Sequence, residues 1–421
     1  MIMDSLLALG LLLSTATQLR FGETPFGPGE LCLAVWLVLF LYRQAGRPAP
    51  AWNAALTRVV TFWLILIVAE SIGAIVGFAT ELFFDTVHMI HDIIAYFFLF
   101  GVACTMAIEL ASEPRRRRVT WLIVLLGAAS LSLQVAHAYG LLRLPIAVEP
   151  WFWTRLQGWS QDANQLGLVA ALLTVISIHL ADTATALVKM VAAAACAAVA
   201  FFVGVLTQSD SFTVGILAAG AVFLAIKSSL WLATFKRGLT FRAALVSLAL
   251  LGLPVLAVDA IPLAPVAVEH VEAKSEALYN EDNQGDARFH LWAEAYDKGM
   301  SAAMLGLGPG PHLTKKAWKH SPPYKFESHN TPLELFTRGG LLAFLAIAWL
   351  YASLLLATTR AKLPALAALS CAVVAFSMFH FIIRHPIFWF GVVLCLLEAA
   401  SVSKLSFGGR HADELGYDNR I

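Results

Sequence analysis

The stretch "ESHNTPLELFTRGG" (327–340) runs directly into "LLAFLAIAWLYASLLLA" (341–357), so a polar, charged segment meets a long apolar one. Apolar runs of about this length are typical of a helix that crosses a bilayer roughly 30 Å thick. We expect the span to begin near residue 332, with His329 and Asn330 at its edge. These two residues are either part of an ordinary helix start or hold a reactive group at the membrane surface.

Most polar residues of this stretch have a structural explanation. Thr331-Pro332-Leu333-Glu334 fits a capping box, with Thr331 as the N-cap, proline at the first helical position and Glu334 returning to the cap amide. Glu334 and Arg338 are four residues apart, in the order that favours an ion pair. His329 lacks such an explanation. A neutral histidine before the positive end of a helix can act as a general base, so His329 is either catalytic or an ordinary interfacial histidine.

Long apolar blocks extend through the chain. Hydrophobic residues make up 59% of it and charged residues 14%, whereas a soluble domain is nearer half apolar and a quarter charged. We therefore predict an all-α fold, a polytopic transmembrane helical bundle of about twelve spans with one large periplasmic loop containing short helices. The predicted spans are 4–19, 29–42, 58–78, 87–110, 119–138, 165–181, 186–206, 212–233, 241–258, 332–357, 363–381 and 386–403.

Basic residues set the predicted orientation. They cluster in the loops that follow spans two, four, eight and ten, all on one side, which the positive-inside rule makes cytoplasmic together with both termini. The predicted organisation is 1–258 (spans one to nine), 259–331 (the periplasmic loop) and 332–421 (spans ten to twelve and a cytoplasmic tail). The "RRRR" run (115–118) is either a topology anchor or a site for a lipid or partner.

The large outer loop contains three suggestive segments. "GDARFHLWAEAYDKGM" (285–300) has aromatic residues at helical spacing and predicts a short amphipathic helix, and "GLGPGP" (306–311) predicts a turn-rich break. "KKAWKH" (315–320) is either a solvated loop with an interfacial aromatic residue or a surface for phosphate and sugar.

Other polar groups also fall on the outer side. Arg155 and Arg384 join the loop cations at one rim, as a polyanionic ligand would require. His88, His91 and Asp92 share a helix face, but they lack a ligand from a further element, so we predict no metal site. Glu70 lies inside a span and is a functional candidate for that reason. The net charge of +1 gives no indication of nucleic-acid binding.

Several motifs together resemble the signature of the O-antigen ligase and polymerase superfamily. They are "RFHLW" (288–292), "GLGPG" (306–310) and "HNTPLELFTRGGLLAFL" (329–345), with weaker features in "DANQLG" (162–167) and "HPIFWFGVVL" (385–394). The resemblance covers roughly residues 160–400. Its most specific part is the histidine-asparagine pair at the start of the span that follows a large periplasmic loop.

The resemblance implies an activity. Members are multi-pass glycosyltransferases of the bacterial inner membrane that need no metal or cofactor and transfer a glycan from undecaprenyl diphosphate on the periplasmic face. Ligases transfer it to lipid A-core, and polymerases to another lipid-linked repeat. By this resemblance His329 corresponds to the catalytic histidine and Arg288 to an arginine that holds the donor diphosphate. The expected substrate-binding residues are Arg288, Arg155, Arg338, Arg384, Asn330, Trp292, Lys315 and Lys316.

One departure from the family pattern concerns the diphosphate. The family often has a serine-arginine pair at the outer end of a middle span, where this chain reads "LTQSDSF" (206–212) with Asp210 in place of arginine. The missing contact is either absent or supplied by Arg155, Arg338 or Arg384.

Two other functions make different predictions. A polyprenyl-linked glycan flippase or other transporter predicts polar groups along a central path and repeat-related halves, whereas here the ionisable residues crowd one rim. In a non-catalytic protein that works with other polysaccharide-assembly proteins, His329 would be dispensable. The sequence leaves open the choice between ligase and polymerase, and with it the glycan, the acceptor and the oligomeric state.

Overall fold

The structure is a computed structural model. It describes residues 2–22, 24, 26–48, 50–80, 85–144, 148–234, 284–315 and 324–414, with backbone alone over 233–234, 284–288, 314–315, 324–326 and 403–414. The helices in these ranges are α1 (Ile2–Leu13), α2 (Pro28–Gln44), α3 (Ala54–Thr80), α4 (Thr86–Glu109), α5 (Glu113–Ala138), α6 (Ala163–Thr183), α7 (Leu187–Leu206), α8 (Asp210–Thr234), α9 (Gln284–Ser301), α10 (Thr331–Arg360), α11 (Pro364–Ser377) and α12 (Pro386–Glu414). Two antiparallel ribbons join them, β1 (Trp151–Phe152) with β2 (Arg155–Leu156) and β3 (Leu313–Lys315) with β4 (Tyr324–Phe326).

The helices identify a multi-pass helical membrane protein. Seven described helices, α3 to α8 and α10, are long and apolar enough to cross a membrane, whereas α1, α11 and the apolar part of α12 are shorter. On α3 the side chains of Leu64, Val68 and Ile75 are 51%, 52% and 72% exposed. A contiguous apolar stripe of this kind is unfavourable in water but matches lipid.

The predicted spans coincide with described helices except at three places. The span at 241–258 and most of the 259–331 loop lie outside the described residues. The predicted 4–19 helix ends at Leu13, and a 3₁₀ turn follows at Thr17–Leu19. The predicted 363–381 helix ends at Ser377, so its 14 residues span only about 21 Å. The count of twelve spans therefore stays a prediction.

Several basic residues meet on one face of the bundle. Arg43, in the last turn of α2, and Arg115, in the first turn of α5, both contact Glu109 at the end of α4. Arg115 also pairs with Asp4 at the start of α1, with Nε 2.9 Å from Oδ1. The basic clusters at 43–47 and 115–118 therefore lie on the same side, as the charge pattern predicted. That this side is cytoplasmic stays a prediction.

Helix α10 is broken at Gly340. This residue has φ 63° and ψ −158°, a conformation essentially restricted to glycine. The break frees carbonyl groups that the segment 304–310 satisfies: Leu307 N–H donates to Thr337 O at 2.9 Å and Gly308 N–H to Arg338 O at 2.7 Å. The predicted turn-rich segment is thus packed into the broken helix.

We expect Gly340→Ala to lower the free energy of unfolding by roughly 1–3 kcal/mol. An added Cβ would have a disfavoured φ and would lie 2.0 Å from the Met304 carbonyl oxygen. Gly220→Ala in α8 is the matched control, because a Cβ there meets nothing within 4 Å. Unfolding of the purified variants in detergent measures the difference, and equal stability of the two would contradict the strained geometry.

An aromatic cluster joins α3, α4 and α12. Trp63 of α3 lies 4.9 Å from the Trp389 ring of α12 and 5.8 Å from the Tyr96 ring of α4. All three side chains are buried. Because Tyr96 also hydrogen-bonds a side chain of α10, this packing fixes the helix on which the polar residues of the next section depend.

Candidate active site

The start of α10 is capped one residue earlier than predicted. Asn330 is the N-cap, and its Oδ1 accepts the Leu333 amide at 3.0 Å. Thr331 is the first helical residue, and Glu334 accepts the Ser328 amide at 2.6 Å. The predicted Thr331 capping box is therefore wrong. The physical reason is that the Thr331 hydroxyl has other partners.

Thr331 ties α10 to the segment that precedes α12. Its hydroxyl donates to the His380 carbonyl at 2.7 Å and accepts the Ile382 amide at 3.1 Å. Asn330 Nδ2 donates to Met378 O at 3.0 Å. Two segments about 50 residues apart, 327–331 and 378–385, are therefore held side by side.

His329 lies between these tied segments. It is half-buried and has a φ of 51°, a left-handed conformation that is uncommon outside glycine and often marks functional sites. Its ring is nearly parallel to that of His380, with centroids 6.3 Å apart, and His380 is nearly parallel to His385 at 5.8 Å. The three imidazoles form a row along one rim of the bundle.

Below this row lies a buried ion-pair cluster around Arg338. Its guanidinium is 0% exposed, with Nη1 2.7 Å from Asp92 Oδ2 and Nε 2.7 Å from Glu334 Oε1. It also contacts Glu327 at 3.3 Å and donates to the Tyr96 hydroxyl at 2.9 Å. The Glu334–Arg338 ion pair is confirmed. Since Arg338 is fully enclosed, the geometry makes it an organiser of this cluster.

Arg384 joins the cluster from its outer side. Its side chain is 30% exposed and contacts Asp92 at 2.7 Å and Glu327 at 2.5 Å. Burial raises the pKa of the Glu327 carboxyl, but Arg384 and Arg338 outweigh that effect and lower this pKa to about 2. Arg384 Nε is buried without a hydrogen-bond partner among the described residues. Buried donors nearly always have a partner, so this N–H is available to water or to a bound anion.

Arg20 extends the rim beyond His385. The pKa of the His385 imidazole is lowered to about 3, first by burial and then by His380, Arg384 and Arg20. This ring is therefore neutral at physiological pH. Arg20 is therefore within electrostatic reach of His385. Its Nε is likewise buried without a partner in the described part of the chain. Gln18 fixes this segment through bonds to the carbonyls of Glu149, Gly158 and Ser160.

Arg155 lies against the α7–α8 turn. Its Nε donates to Thr207 O at 3.2 Å, and its Nη2 donates to Asn164 Oδ1 at 3.1 Å. Asn164 Oδ1 also accepts the Ser209 hydroxyl at 2.8 Å. Arg155 is thus held beside the stretch where Asp210 replaces the arginine of the family pattern.

Helix packing connects the Arg155 turn to the histidine row. Gly215, about one and a half turns into α8, faces Phe376 of α11 at 3.7 Å from where a Cβ would lie. The Phe376 ring lies edge-on to His380, 6.1 Å away. Arg155 and the histidines therefore share one end of the bundle.

The remaining predicted site residues have the following positions. Trp292 of the confirmed helix α9 donates its indole N–H to Ser328 O at 3.1 Å, directly before His329. The backbone of Arg288 lies one helical turn before Trp292, and that of Lys315 ends β3. The side chains of both, and Lys316 entirely, lie outside the described residues. The predicted binding role of Asn330 stays a prediction, since both its amide atoms make structural contacts.

The predicted histidine-aspartate group separates in the structure. His88 Nδ1 contacts Asp85 at 2.8 Å, and both His88 and His91 are exposed, whereas Asp92 is buried on the arginines. Within the described ranges no group of three or more His, Cys, Asp or Glu side chains is placed to hold a metal ion. Glu70 is buried within electrostatic reach of Arg338 and Asp92, and its Oε1 has no partner among the described residues.

Three site residues were missed by sequence reasoning. His380 lies inside the predicted 363–381 span, and Glu327 lies in the polar stretch, where no pattern distinguishes it. Arg20 carried a usable signal, because a basic residue at the outer end of the first predicted span runs against the positive-inside rule. A single basic residue at the end of a span where the positive-inside rule does not place it is therefore a candidate functional residue.

Comparison with known proteins finds a family match for the middle of the chain. Residues 195–348 match the family model described as O-antigen ligase. The match includes His329, Asn330 and Arg338, but it ends before His380 and Arg384. No curated protein matches the chain.

Proposed function

Because the chain carries an O-antigen ligase domain over residues 195–348, we propose that it is a glycosyltransferase of surface-polysaccharide assembly. It takes a glycan from undecaprenyl diphosphate and transfers it to an acceptor hydroxyl, either on lipid A-core or on another lipid-linked glycan. In this proposal it resides in a bacterial inner membrane, and the rim that carries His329 faces the periplasm. Other polysaccharide-assembly proteins would act with it, and nucleic acid would not be a partner.

The observation that carries the proposal is the position of His329. It is half-buried at the start of a membrane-spanning helix, in a left-handed conformation held by Asn330 and Thr331. Buried charges lie on the neighbouring segments, together with arginine donors that have no partner among the described residues. A general base must have such an arrangement, with its ring reachable by substrate and its backbone fixed.

The proposed reaction is a single displacement that inverts the anomeric carbon. His329 accepts the proton of the acceptor hydroxyl, whose oxygen forms a bond to the anomeric carbon. The bond from that carbon to the diphosphate oxygen breaks, and undecaprenyl diphosphate leaves with the electron pair. A diphosphate is already stable as an anion, so His329 and fixed cations suffice without a metal ion.

In this proposal the diphosphate is bound by arginines with spare donor capacity. Arg384 and Arg20 each have a buried Nε without a partner in the described part of the chain. Arg155 supplies the cation missing at Asp210, and Arg288 contributes from α9. Arg338 positions Glu327 and Arg384 and does not contact the donor, because it is fully enclosed by its ion pairs.

A transfer assay with the purified protein tests this function. The donor is a short glycan on undecaprenyl diphosphate, and the acceptors are lipid A-core and a second copy of the donor. We expect release of undecaprenyl diphosphate with formation of one elongated product, unchanged by EDTA. Movement of the donor across a vesicle membrane without any product would overturn the proposal in favour of a flippase. Loss of transfer in EDTA would overturn the metal-independent mechanism.

We expect Arg155→Ala to raise the donor concentration needed for half-maximal transfer by about tenfold or more, since one charge-assisted hydrogen bond contributes about 1.5–3 kcal/mol. Arg143→Ala is the control, because Arg143 is exposed beyond the end of α5. Initial rates at varied donor concentration measure the effect. Unchanged donor dependence would remove Arg155 from the diphosphate site.

A further inference from the structure

A cleft with basic residues at its rim lies at the starts of α5 and α7. It has a volume of about 610 Å³ and is lined by Arg117, Arg118 and Lys189 together with Trp121 and Leu125. Val188 and Ala192 add apolar wall, and Glu113 is the one acidic residue of its lining. Three cations against one carboxyl group, beside a tryptophan and aliphatic side chains, form a site with a basic rim and an apolar wall.

This cleft is on the membrane face opposite to the candidate active site. Asp92, near the start of α4, contacts Arg338 and Arg384, whereas Glu109 at the other end of α4 contacts Arg115 of the α5 start. Helices α5 and α6 cross in turn, so α7 begins on the same side as α5. The mechanism proposed above does not use the cleft.

The four arginines of the "RRRR" run divide into two pairs. Arg115 binds Asp4 and Glu109, and the buried Arg116 binds Glu398 at 2.7 Å. Arg117 is exposed and has no ion-pair partner among the described residues, and Arg118 is 54% exposed with a contact to Asp4 at 3.3 Å. Lys189 of α7 is also exposed and unpaired in the described ranges. Ion pairs with other helices therefore explain Arg115 and Arg116, but they do not explain Arg117 and Arg118.

We propose that this cleft binds an anionic phospholipid. Its phosphate would lie among Arg117, Arg118 and Lys189, and the start of an acyl chain would lie along Trp121, Leu125 and Val188. Basic residues attract anionic headgroups at a membrane surface, and tryptophan prefers the level of the headgroups. The proposed ligand is a phosphodiester lipid of net negative charge, because a zwitterionic headgroup brings its own cation to a rim that is already basic.

Thermal unfolding of the full chain in detergent, with added lipid, tests the proposal. The probes are a short-chain phosphatidylglycerol, the phosphatidylcholine of the same chain length, and inorganic phosphate at the same concentrations. We expect phosphatidylglycerol to raise the melting temperature and the other two to have little effect. A basic residue near an anionic surface contributes about a factor of five to binding, so Arg117→Gln with Lys189→Gln should weaken the response about 30-fold.

Arg47→Gln is the matched control, since Arg47 is exposed on the same face and does not line the cleft. It should respond to phosphatidylglycerol like the wild type. An equal response to both lipids, or a double variant that responds like the wild type, would overturn the proposal. Equal stabilisation by inorganic phosphate would also overturn it and indicate a site for free phosphate. Retention of phospholipid by the purified protein in native mass spectrometry, lower in the double variant, gives an independent readout.

Discussion

Glycan transfer by His329→Asn is expected to fall by about 10²–10⁴-fold, the usual contribution of general-base catalysis. Asparagine is the suitable replacement because it tolerates the left-handed conformation at this position, φ 51°, better than alanine does. The variant therefore removes the proton acceptor without adding backbone strain. Initial rates with purified protein and undecaprenyl-diphosphate-linked donor measure the loss.

The matched control for this change is His88→Asn. His88 is exposed on the same side of the bundle, where it contacts Asp85 and the ring of the exposed His91. It should transfer glycan at the wild-type rate. Normal expression and an unchanged melting temperature of His329→Asn would assign its defect to chemistry. A His329→Asn protein with near wild-type turnover would make the histidine part of an ordinary helix start.

Arg338→Ala is expected to cost about 3–5 kcal/mol of stability, because it leaves buried carboxyl groups without their counter-charge. Asp92 and Glu334, 5% and 1% exposed, both depend on this guanidinium, and so does Glu327. Arg384 would retain contacts to Asp92 and Glu327 but has none to Glu334. The free energy of unfolding, measured with denaturant in bicelles, gives the loss.

Arg360→Ala provides the comparison on the same helix. Arg360 is exposed at the far end of α10, so its removal should change stability by less than about 0.5 kcal/mol. Arg338→Lys should fall between the two, since it keeps the charge but cannot hold three carboxyl groups with one planar fork. If Arg338→Ala unfolds like the wild type, the cluster contributes nothing to the fold. Activity of Arg338→Ala would then have to be tested directly against a role in donor binding.

Local features of the site could be predicted from the sequence. The Glu334–Arg338 pair follows from a spacing of four on one helix, and helix α9 follows from aromatic periodicity. The predicted N-cap of α10 is one residue too late, because asparagine and threonine both cap helices well. The choice between Asn330 and Thr331 depends on the His380 carbonyl, which takes the threonine hydroxyl. That partner is 49 residues away, and no local pattern indicates it.

The rest of the site depends on contacts between distant parts of the chain. Asp92 groups with His88 and His91 in the sequence, yet its charged partners are Arg338 and Arg384. The break at Gly340 had a signal in the paired glycines 339 and 340. The long apolar run that follows them favoured a continuous helix, and only the segment 304–310 explains why the break is stable.

These distant contacts also set the order in which the protein can be completed during synthesis. Arg338 and Arg384 reach Asp92 across 246 and 292 residues of chain, and domains fold from the N-terminus as they are made. Helices α3 and α4 are therefore inserted with Asp92 uncompensated until α10 leaves the translocon. His380 and Arg384 follow later still. A ribosome that stops after α10 leaves a chain that contains His329 but lacks His380 and Arg384, so the rim around His329 is completed only when the last part of the protein has been made.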